Sequence, residues 1–484
     1  MLLLGYWGMR RTRSVGDFFL GGRSIGPWMS AFAYGTTYFS AVLFVGYAGK
    51  LGWGFGHHTL WIVAGNTVVG TLLAWWVLAK RTRRLTQELR AMTMPEFLEA
   101  RYGSRFLRIA GALIVFVFLI PYSASVYTGL SYLFETIVGI PYIYSLCLLA
   151  VLTGVYLMMG GYFALTLTDF IQGSIMLVGA AAMVVFFVGD LGGIAKVWAD
   201  LGALPLPGFG PVVLRSTAPP VPDFSGPGWL VLASLVIVTS VGPLGMPQMV
   251  QKFYSLKSEA AAGRAMVVAS LFALVISGAA YFTGALTHLY YQALPLDPAT
   301  GKGSADYLMP NLVTEFLPAA LGVVIMLLIF SASMSTLSSL VLVSSSAVAI
   351  DLYQREMRPR PSQRQIVLLL RVLCGVFIAA SLVIAVYRPA VIVSLMVVSW
   401  GAIAGSFIGP YVYGLFWPGA NRAGAIGSMF CGLGTALVLY VAWGEPGVPI
   451  AGALAMIVPL VTLPIISAVA RVVSQPRPVK EQAA

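Results

Sequence analysis

Apolar residues gather into runs of 18 or more positions, separated by short stretches that carry nearly all the charge. At 1.5 Å per residue, runs of that length are what a helix needs to cross a hydrocarbon core about 30 Å thick. The pattern predicts twelve complete spans, at about 27–48, 58–80, 106–135, 141–160, 164–190, 229–250, 264–290, 313–350, 366–387, 390–417, 422–443 and 449–471. Residues 1–9 form an apolar stub too short to span, followed by Arg10, Arg11 and Arg13. Because those charges follow the apolar stretch and no cleavage site appears, the stub reads as the end of a helix whose beginning lies upstream, not as a secretory signal. The long runs also argue against an outer-membrane barrel, which is written in short alternating strands.

The basic residues sort to one side. Placing 10–23 in the cytoplasm puts 80–90, 101–108, 252–264, 355–371 and the tail 471–480 there too. The opposite loops hold only scattered bases, Lys50, Lys196, Arg215, Lys302 and Arg388. This bias supports the span count and predicts a multi-pass plasma-membrane protein with a cytoplasmic C-terminus. The longest outer loops, about 191–228 and 291–312, are rich in Pro and Gly and offer no separate domain.

Composition narrows the classes. With 59% hydrophobic and 10% charged residues over 484 positions, and a mean hydropathy of +0.88, the chain is a lipid-embedded helical protein. Its net charge of +12 does not point to nucleic acid, because the bases flank apolar helices. Cys147, Cys374 and Cys431 are widely spaced and give neither a disulfide framework nor a metal pattern. The only histidines are His57, His58 and His288. No nucleophile–base pair or metal cluster is evident, so neither an enzyme nor a cofactor is expected.

Residues 331–339, Ser-Ala-Ser-Met-Ser-Thr-Leu-Ser-Ser, lie inside the apolar run 317–350. On a helix, Ala332, Ser335, Thr336 and Ser339 form one stripe, with Ser338 on its flank. Hydroxyls beside a freed carbonyl make a neutral oxygen nest suited to a hard monovalent cation. Close helix packing and back-bonding of Ser and Thr to their own helix is the other reading of the same stripe.

Two spans are interrupted alike. The first contains Gly35-Thr36-Thr37 at mid-depth, and the sixth contains Gly242-Pro243-Leu244-Gly245-Met246-Pro247. They lie five spans apart, so each opens a block of five helices of opposite sense. Broken helices at corresponding positions of inverted halves mark a transport site at the bilayer midplane. Asp169 adds a carboxylate to the fifth span, at a cost of roughly 2.5–3.5 kcal/mol near a helix centre. Either a cation shared with Ser338 and Ser339 neutralises it, or it caps its own helix with Thr166 and Thr168 nearby.

With these residues in view, the chain resembles the sodium/solute symporter family, which includes bacterial proline, pantothenate, sialic acid and galactose carriers. The resemblance runs end to end, through Gly21-Gly22-Arg23-Ser24, Thr93-Met94-Pro95-Glu96-Phe97-Leu98 and Arg101-Tyr102. It continues through Gly160-Gly161, Thr168-Asp169, Gln172, Gly245-Met246-Pro247-Gln248, residues 334–339 and Asp351-Leu352-Tyr353. It implies an all-α polytopic membrane protein of the leucine-transporter-type fold. The parts would be a truncated extra helix and cytoplasmic loop (1–26), a first inverted five-helix repeat (27–190), an outer loop (191–228), a second repeat (229–418), two additional helices (419–472) and a cytoplasmic tail (473–484).

The resemblance also implies ligands. The main sodium site would take carbonyls of Thr36, Phe39 and Ala332 with hydroxyls of Ser335 and Thr336. A possible second sodium site would use Asp169, Ser335, Ser338 and Ser339. Sodium is the only metal implied. Substrate-side residues would be Ser40, Tyr122, Thr239 and Gln248, with no Lys or Arg expected between the broken helices. The chain departs from proline carriers in having Tyr38, Thr239 and Pro243 at pocket positions, and from sugar carriers in having Val42 and Leu43. Gly46-Tyr47-Ala48-Gly49 and the Gly-x-x-Gly-x-Pro stretch of the sixth helix lean toward the pantothenate and monocarboxylate branch.

The reading is a secondary active transporter that couples sodium influx to uptake of a small organic solute by alternating access, with sodium, solute and the lipid bilayer as partners. A proton-coupled carrier in which Asp169 titrates, and a membrane sensor built on the same bundle, are the alternatives.

Overall fold

The computed structural model describes residues 14–159, 161–204, 227–297, 300–357, 361–387 and 392–474. The stub 1–9 with Arg10, Arg11 and Arg13, most of the outer loop 191–228 and nearly all of the tail 473–484 lie outside them. Helix dominates, and the described β pairing consists of two single bridges, Ile25 with Leu256 and Leu296 with Gly303.

In chain order the helices are α1 (Val15–Leu20), α2 (Pro27–Tyr38), α3 (Ala48–Phe55), α4 (Leu60–Thr67), α5 (Lys80–Glu88), α6 (Met94–Tyr102), α7 (Arg105–Val138), α8 (Tyr142–Met159) and α9 (Tyr162–Asp190). Then follow α10 (Ile194–Ala203), α11 (Pro227–Gly245), α12 (Pro247–Tyr254), α13 (Glu259–Tyr290), α14 (Leu308–Phe316), α15 (Ala319–Ser346), α16 (Gln363–Tyr387), α17 (Ile392–Phe416) and α18 (Arg422–Ser474). Wider π-helical turns join α2 to α3, α4 to α5, and continue α15 to Gln354.

Among the described residues nine helical stretches are long and apolar enough to cross a membrane. They match the expected twelve because several spans run together or fall short of that length. Val42–Glu88 joins the C-terminal half of the first span to the second, and Arg422–Val473 joins the last two across a kink at Gly444 (φ 61°). The stretch Tyr142–Tyr156 is shorter, and α2 supplies the N-terminal half of the first span.

Local chemistry fixes the ends. Ser14 and Asp17 cap α1 reciprocally, and Thr93, Ser104 and Ser258 accept amide protons at the starts of α6, α7 and α13. Gly103 and Gly139 close α6 and α7 in the left-handed conformation.

The centre of the molecule is α2, enclosed by α9, α13 and α15. Small residues make that enclosure possible. A Cβ on Gly35 would lie 2.3 Å from the Phe272 ring, and one on Gly173 would lie 2.6 Å from Phe32. Alongside, α3 and α13 touch backbone to backbone, where a Cβ on Gly284 would fall 2.0 Å from the Ala48 carbonyl oxygen. Gly35 therefore serves packing inside a regular helix. The break in the first span comes later than expected, at Phe39 and Ser40, whereas the sixth breaks at Met246 inside its expected segment.

The face that carries the basic clusters is tied shut by polar contacts. Arg23 donates to the carbonyls of Ala91 (2.7 Å), Thr86 (3.3 Å) and Tyr254 (3.2 Å). Arg355 pairs with the buried Glu96 at 2.8 Å, and Arg108 pairs with Glu99 at 2.8 Å and also with Glu356. Asp351, fully buried, accepts from the Thr93 hydroxyl at 2.5 Å.

Candidate functional site

The break in the first span frees carbonyls. Phe39 adopts extended backbone angles (φ −111°, ψ 115°), so the carbonyls of Thr36 and Thr37 lose the amides that would have served them four residues on. The Thr336 hydroxyl of α15 donates to them instead, at 3.0 Å and 3.3 Å. Ser335, its neighbour, lies 2.7 Å from the Thr36 hydroxyl and 2.6 Å from the Asp169 carboxylate. With one proton to give, it serves the carboxylate, the stronger acceptor. Thr36 turns its own proton to the Phe32 carbonyl at 2.9 Å, leaving its oxygen lone pairs toward Ser335.

Thr36, Phe39, Ala332, Ser335 and Thr336 are all buried, and α2 and α15 bring Thr36, Ser335 and Thr336 into direct contact. The Thr36 carbonyl with the Ser335 and Thr336 hydroxyls gives neutral, hard oxygen donors, which fit sodium and not a metal that seeks nitrogen or sulfur. Among the described residues no cluster of His, Cys, Asp and Glu could hold another metal.

The second group gathers around Asp169 on α9. Ser338 turns its proton back to the Met334 carbonyl at 2.6 Å. Ser339 shares a hydrogen bond with Thr37 at 2.9 Å and accepts one from the Lys252 ammonium at 3.0 Å. Lys252 corrects its sequence placement. It does not belong to a cytoplasmic loop but sits on α12, 1% exposed, with its Nζ 5.2 Å from the centroid of the Tyr162 ring. A signal for this was present, since Gln248, Gln251 and Lys252 are spaced i, i+3, i+4 among apolar residues after a helix-starting Pro247.

On the other side of the break a narrow cavity of about 20 Å³ is lined by Tyr38, Ser40, Tyr47, Asn66, Thr239 and Trp400, among others. Ser40 and Thr239 both line it. Tyr122 packs edge-on against Trp400 at 5.8 Å, so it adjoins the cavity, whereas Gln248 is not among its lining residues. Sequence reasoning did not single out Asn66, Tyr281 or Trp400, which come from three other helices. Buried polar atoms without a hydrogen bond of regular geometry collect here: the hydroxyls of Tyr47 and Tyr122 and the indole N–H of Trp400, with the Tyr122 hydroxyl close to both Ser40 and Trp400. Such orphans are costly unless a bound group completes them.

Tyr38 joins the two broken spans. Pro243 has no amide proton, so the Thr239 carbonyl has no helical partner four residues on. The Tyr38 hydroxyl donates to that carbonyl and also lies 3.2 Å from the Asn66 side-chain oxygen.

Comparison with known proteins bears on the family and the fold. A model of the sodium:solute symporter family matches residues 18–432. The osmoregulated proline transporter of Bacillus subtilis is 27% identical over 90% of this chain and 86% of its own length. The high-affinity proline transporter of the same organism is 29% identical over 92% and 90%, and a sodium/proline symporter of Staphylococcus aureus is 29% identical over 92% and 84%. Among solved structures, a Na+-coupled sialic acid symporter in a substrate-bound outward-open state superposes with a TM-score of 0.74 at 19% identity, covering 97% of this chain and 95% of the other. MhsT in complex with L-phenylalanine superposes at 0.53 and 16%, covering 92% and 98%. The fold is thus of the leucine-transporter type, in a multi-pass membrane protein that is not an enzyme. The chain belongs to the sodium:solute symporter family, and it is a transporter that couples sodium to solute uptake.

Proposed function

We propose that sodium binds among the carbonyls of Thr36, Phe39 and Ala332 and the hydroxyls of Ser335 and Thr336. The solute then binds across the break in α2, in the cavity of Ser40, Thr239 and Tyr122. The observation that carries this reading is Thr336, a helix-15 hydroxyl bonded to the carbonyls freed in the first span. An ion inserted there ties α15 to α2, the element that also forms one wall of the solute cavity. Sodium binding and solute binding therefore act on one segment, which is what coupling requires. Asp169, Ser335, Ser338 and Ser339 form a second cation site beside it.

The solute is a small molecule bearing a carboxylate. No Asp, Glu, Lys or Arg lines the cavity, while hydroxyls, amide and indole groups do. A carboxylate there is met by these donors, by helix ends and by the adjacent sodium. Residues 27–190 and 229–418 act as the two inverted repeats whose relative motion gives alternating access, with the C-terminus in the cytoplasm. The placement of basic residues supports that orientation.

Uptake into proteoliposomes tests this. Under an inward sodium gradient, proline and short monocarboxylates are compared with galactose, each with and without sodium. Sodium-driven uptake of a carboxylate is the expected result. Sodium-driven uptake of the sugar alone, or equal uptake under a proton gradient without sodium, overturns the reading.

A further inference from the structure

We infer that the Lys252 ammonium is the resident counter-charge of Asp169 and fills the second cation site in place of an ion, so that a single sodium, at the main site, couples transport. The inference rests on the main-site reading above and deepens it by setting the number of ions.

Lys252 does not behave as a lysine seeking water. Near a helix end a lysine extends along the apolar surface until its head reaches solvent. Here the whole residue is 1% exposed, and the ammonium donates inward to Ser339 on α15 at 3.0 Å. Among the described residues, Lys252 is the charged side chain whose field favours the Asp169 carboxylate, and Asp169 the one whose field favours the Lys252 ammonium. The two do not meet as a direct ion pair. Instead Ser335 donates to Asp169 and Ser339 accepts from Lys252, one helical turn apart on the same face of α15. Carboxylate, hydroxyl stripe and ammonium thus make a closed, charge-balanced set.

A mobile sodium in this set meets two obstacles. The first is occupancy of donors. The Ser339 oxygen already accepts from Lys252 and pairs with Thr37. The second is charge. Asp169 supplies one negative charge, which Lys252 already balances, so a sodium would bring an uncompensated positive charge beside an ammonium in a medium of low dielectric. The main site lacks the second obstacle, because its donors are neutral carbonyls and hydroxyls with no lysine among them. A tethered cation also has a consequence for exchange: it stays with the protein through the cycle, holding α12, α9 and α15 together, while only the main-site ion crosses.

Equilibrium binding of radioactive sodium to the purified full-length protein, which needs no solute, tests the inference. Wild type is expected to bind one ion per chain, without cooperativity in sodium. Lys252→Met keeps length and removes charge, and is expected to raise the count to two with cooperative binding. Lys252→Arg keeps the charge and is expected to stay at one. Two ions in wild type, or a folded Lys252→Met protein that still binds one, overturn the inference while leaving the main site standing. Wild type that binds none overturns the main-site reading as well.

Thermal unfolding supplies an independent readout. Asp169→Asn strands a buried ammonium and lowers the melting temperature, and Asp169→Asn combined with Lys252→Met recovers part of that loss. Strictly additive losses overturn the pairing.

Discussion

The Thr336 hydroxyl donates to the Thr36 carbonyl across 300 residues of sequence at 3.0 Å, and it can do so because Phe39 has left the helix. A polar side chain on one span thereby completes the backbone of another. In lipid such a freed carbonyl has no water to fall back on, so the break persists only where a hydroxyl or an ion serves it.

Replacing Ser335 and Thr336 together by Ala removes both hydroxyl ligands of the proposed main sodium site. Each hydrogen bond or ligand contact to a charge is worth about 1.5–3 kcal/mol, or roughly ten- to a hundredfold in affinity. The double variant is expected to reach the membrane and fold, yet to need at least tenfold more sodium for half-maximal uptake. Wild-type sodium dependence in a well-folded double variant would show that the ion binds elsewhere.

Tyr38 is expected to be structural as well as solute-facing. Tyr38→Phe leaves the Thr239 carbonyl without a donor, at a cost of about 1–3 kcal/mol. The variant should melt several degrees lower and lose solute affinity, because the cavity wall and the inter-span tie share this side chain. Differential scanning fluorimetry and uptake measured on the same preparation separate the two losses. An unchanged melting temperature rules out the tie.

Much of the fold was legible because the membrane imposes a simple rule: long apolar runs, bounded by charge, become spans. The candidate sodium-site residues drew attention for a related reason, since Ser335, Thr336 and Ser339 stand out as a polar stripe within an apolar run. The position of the break was not. Gly35 drew attention as a breaker, but its missing side chain makes room for Phe272, and the helix unwinds four residues later at Phe39. Lys252 was hidden by charge bookkeeping, because a base beside a span end reads as loop until the helix is seen to restart at Pro247. Trp400, Asn66 and Tyr281 converge on the cavity from separate helices, and one sequence carries no signal of that convergence.

The crossing of α3 and α13 gives a steric prediction. Gly284→Ala would place a methyl group 2.0 Å from the Ala48 carbonyl oxygen, and neither backbone can yield without parting the helices. Overpacking typically costs 1–3 kcal/mol, and backbone against backbone lies at or beyond the upper end, about 3 kcal/mol. Gly284→Ala should reduce the folded yield sharply, whereas Gly263→Ala, where nothing lies within 4 Å, should not. Size-exclusion profiles of the two variants in detergent provide the comparison.

Arg23 gives a test of closure. It holds the segment before α2 to the carbonyls of Thr86, Ala91 and Tyr254, and it is the only side chain that reaches all three in the described contacts. Arg23→Ala should loosen this face and raise the reactivity of a cysteine placed at the buried Ser255 toward a water-soluble maleimide. Sodium should reverse part of the increase if it favours the closed arrangement. Equal labelling with and without Arg23 would assign closure to the Glu96–Arg355 and Arg108 pairs instead.

Asp306 gives a pH dependence outside the membrane-spanning segments. It sits in the short turn before α14, 4% exposed, with one carboxylate oxygen unpartnered. Burial pushes its carboxyl up to about 6, Lys50 opposes that shift, and Glu445 and Asp297 add to it. The sign follows from linkage: the folded protein holds this proton more tightly than the unfolded chain does. Its contribution to stability is therefore greatest below about pH 4 and is lost as pH rises toward 6 and beyond. Above that range the native state carries a poorly solvated carboxylate, at a cost on the order of 2–3 kcal/mol. Asp306→Asn removes the charge and should raise the melting temperature at pH 7.5 while changing it little at pH 4.5. Equal shifts at both pH values, or a loss of stability at pH 7.5, would mean that the ionised carboxylate is held by Lys50 well enough to stabilise the turn.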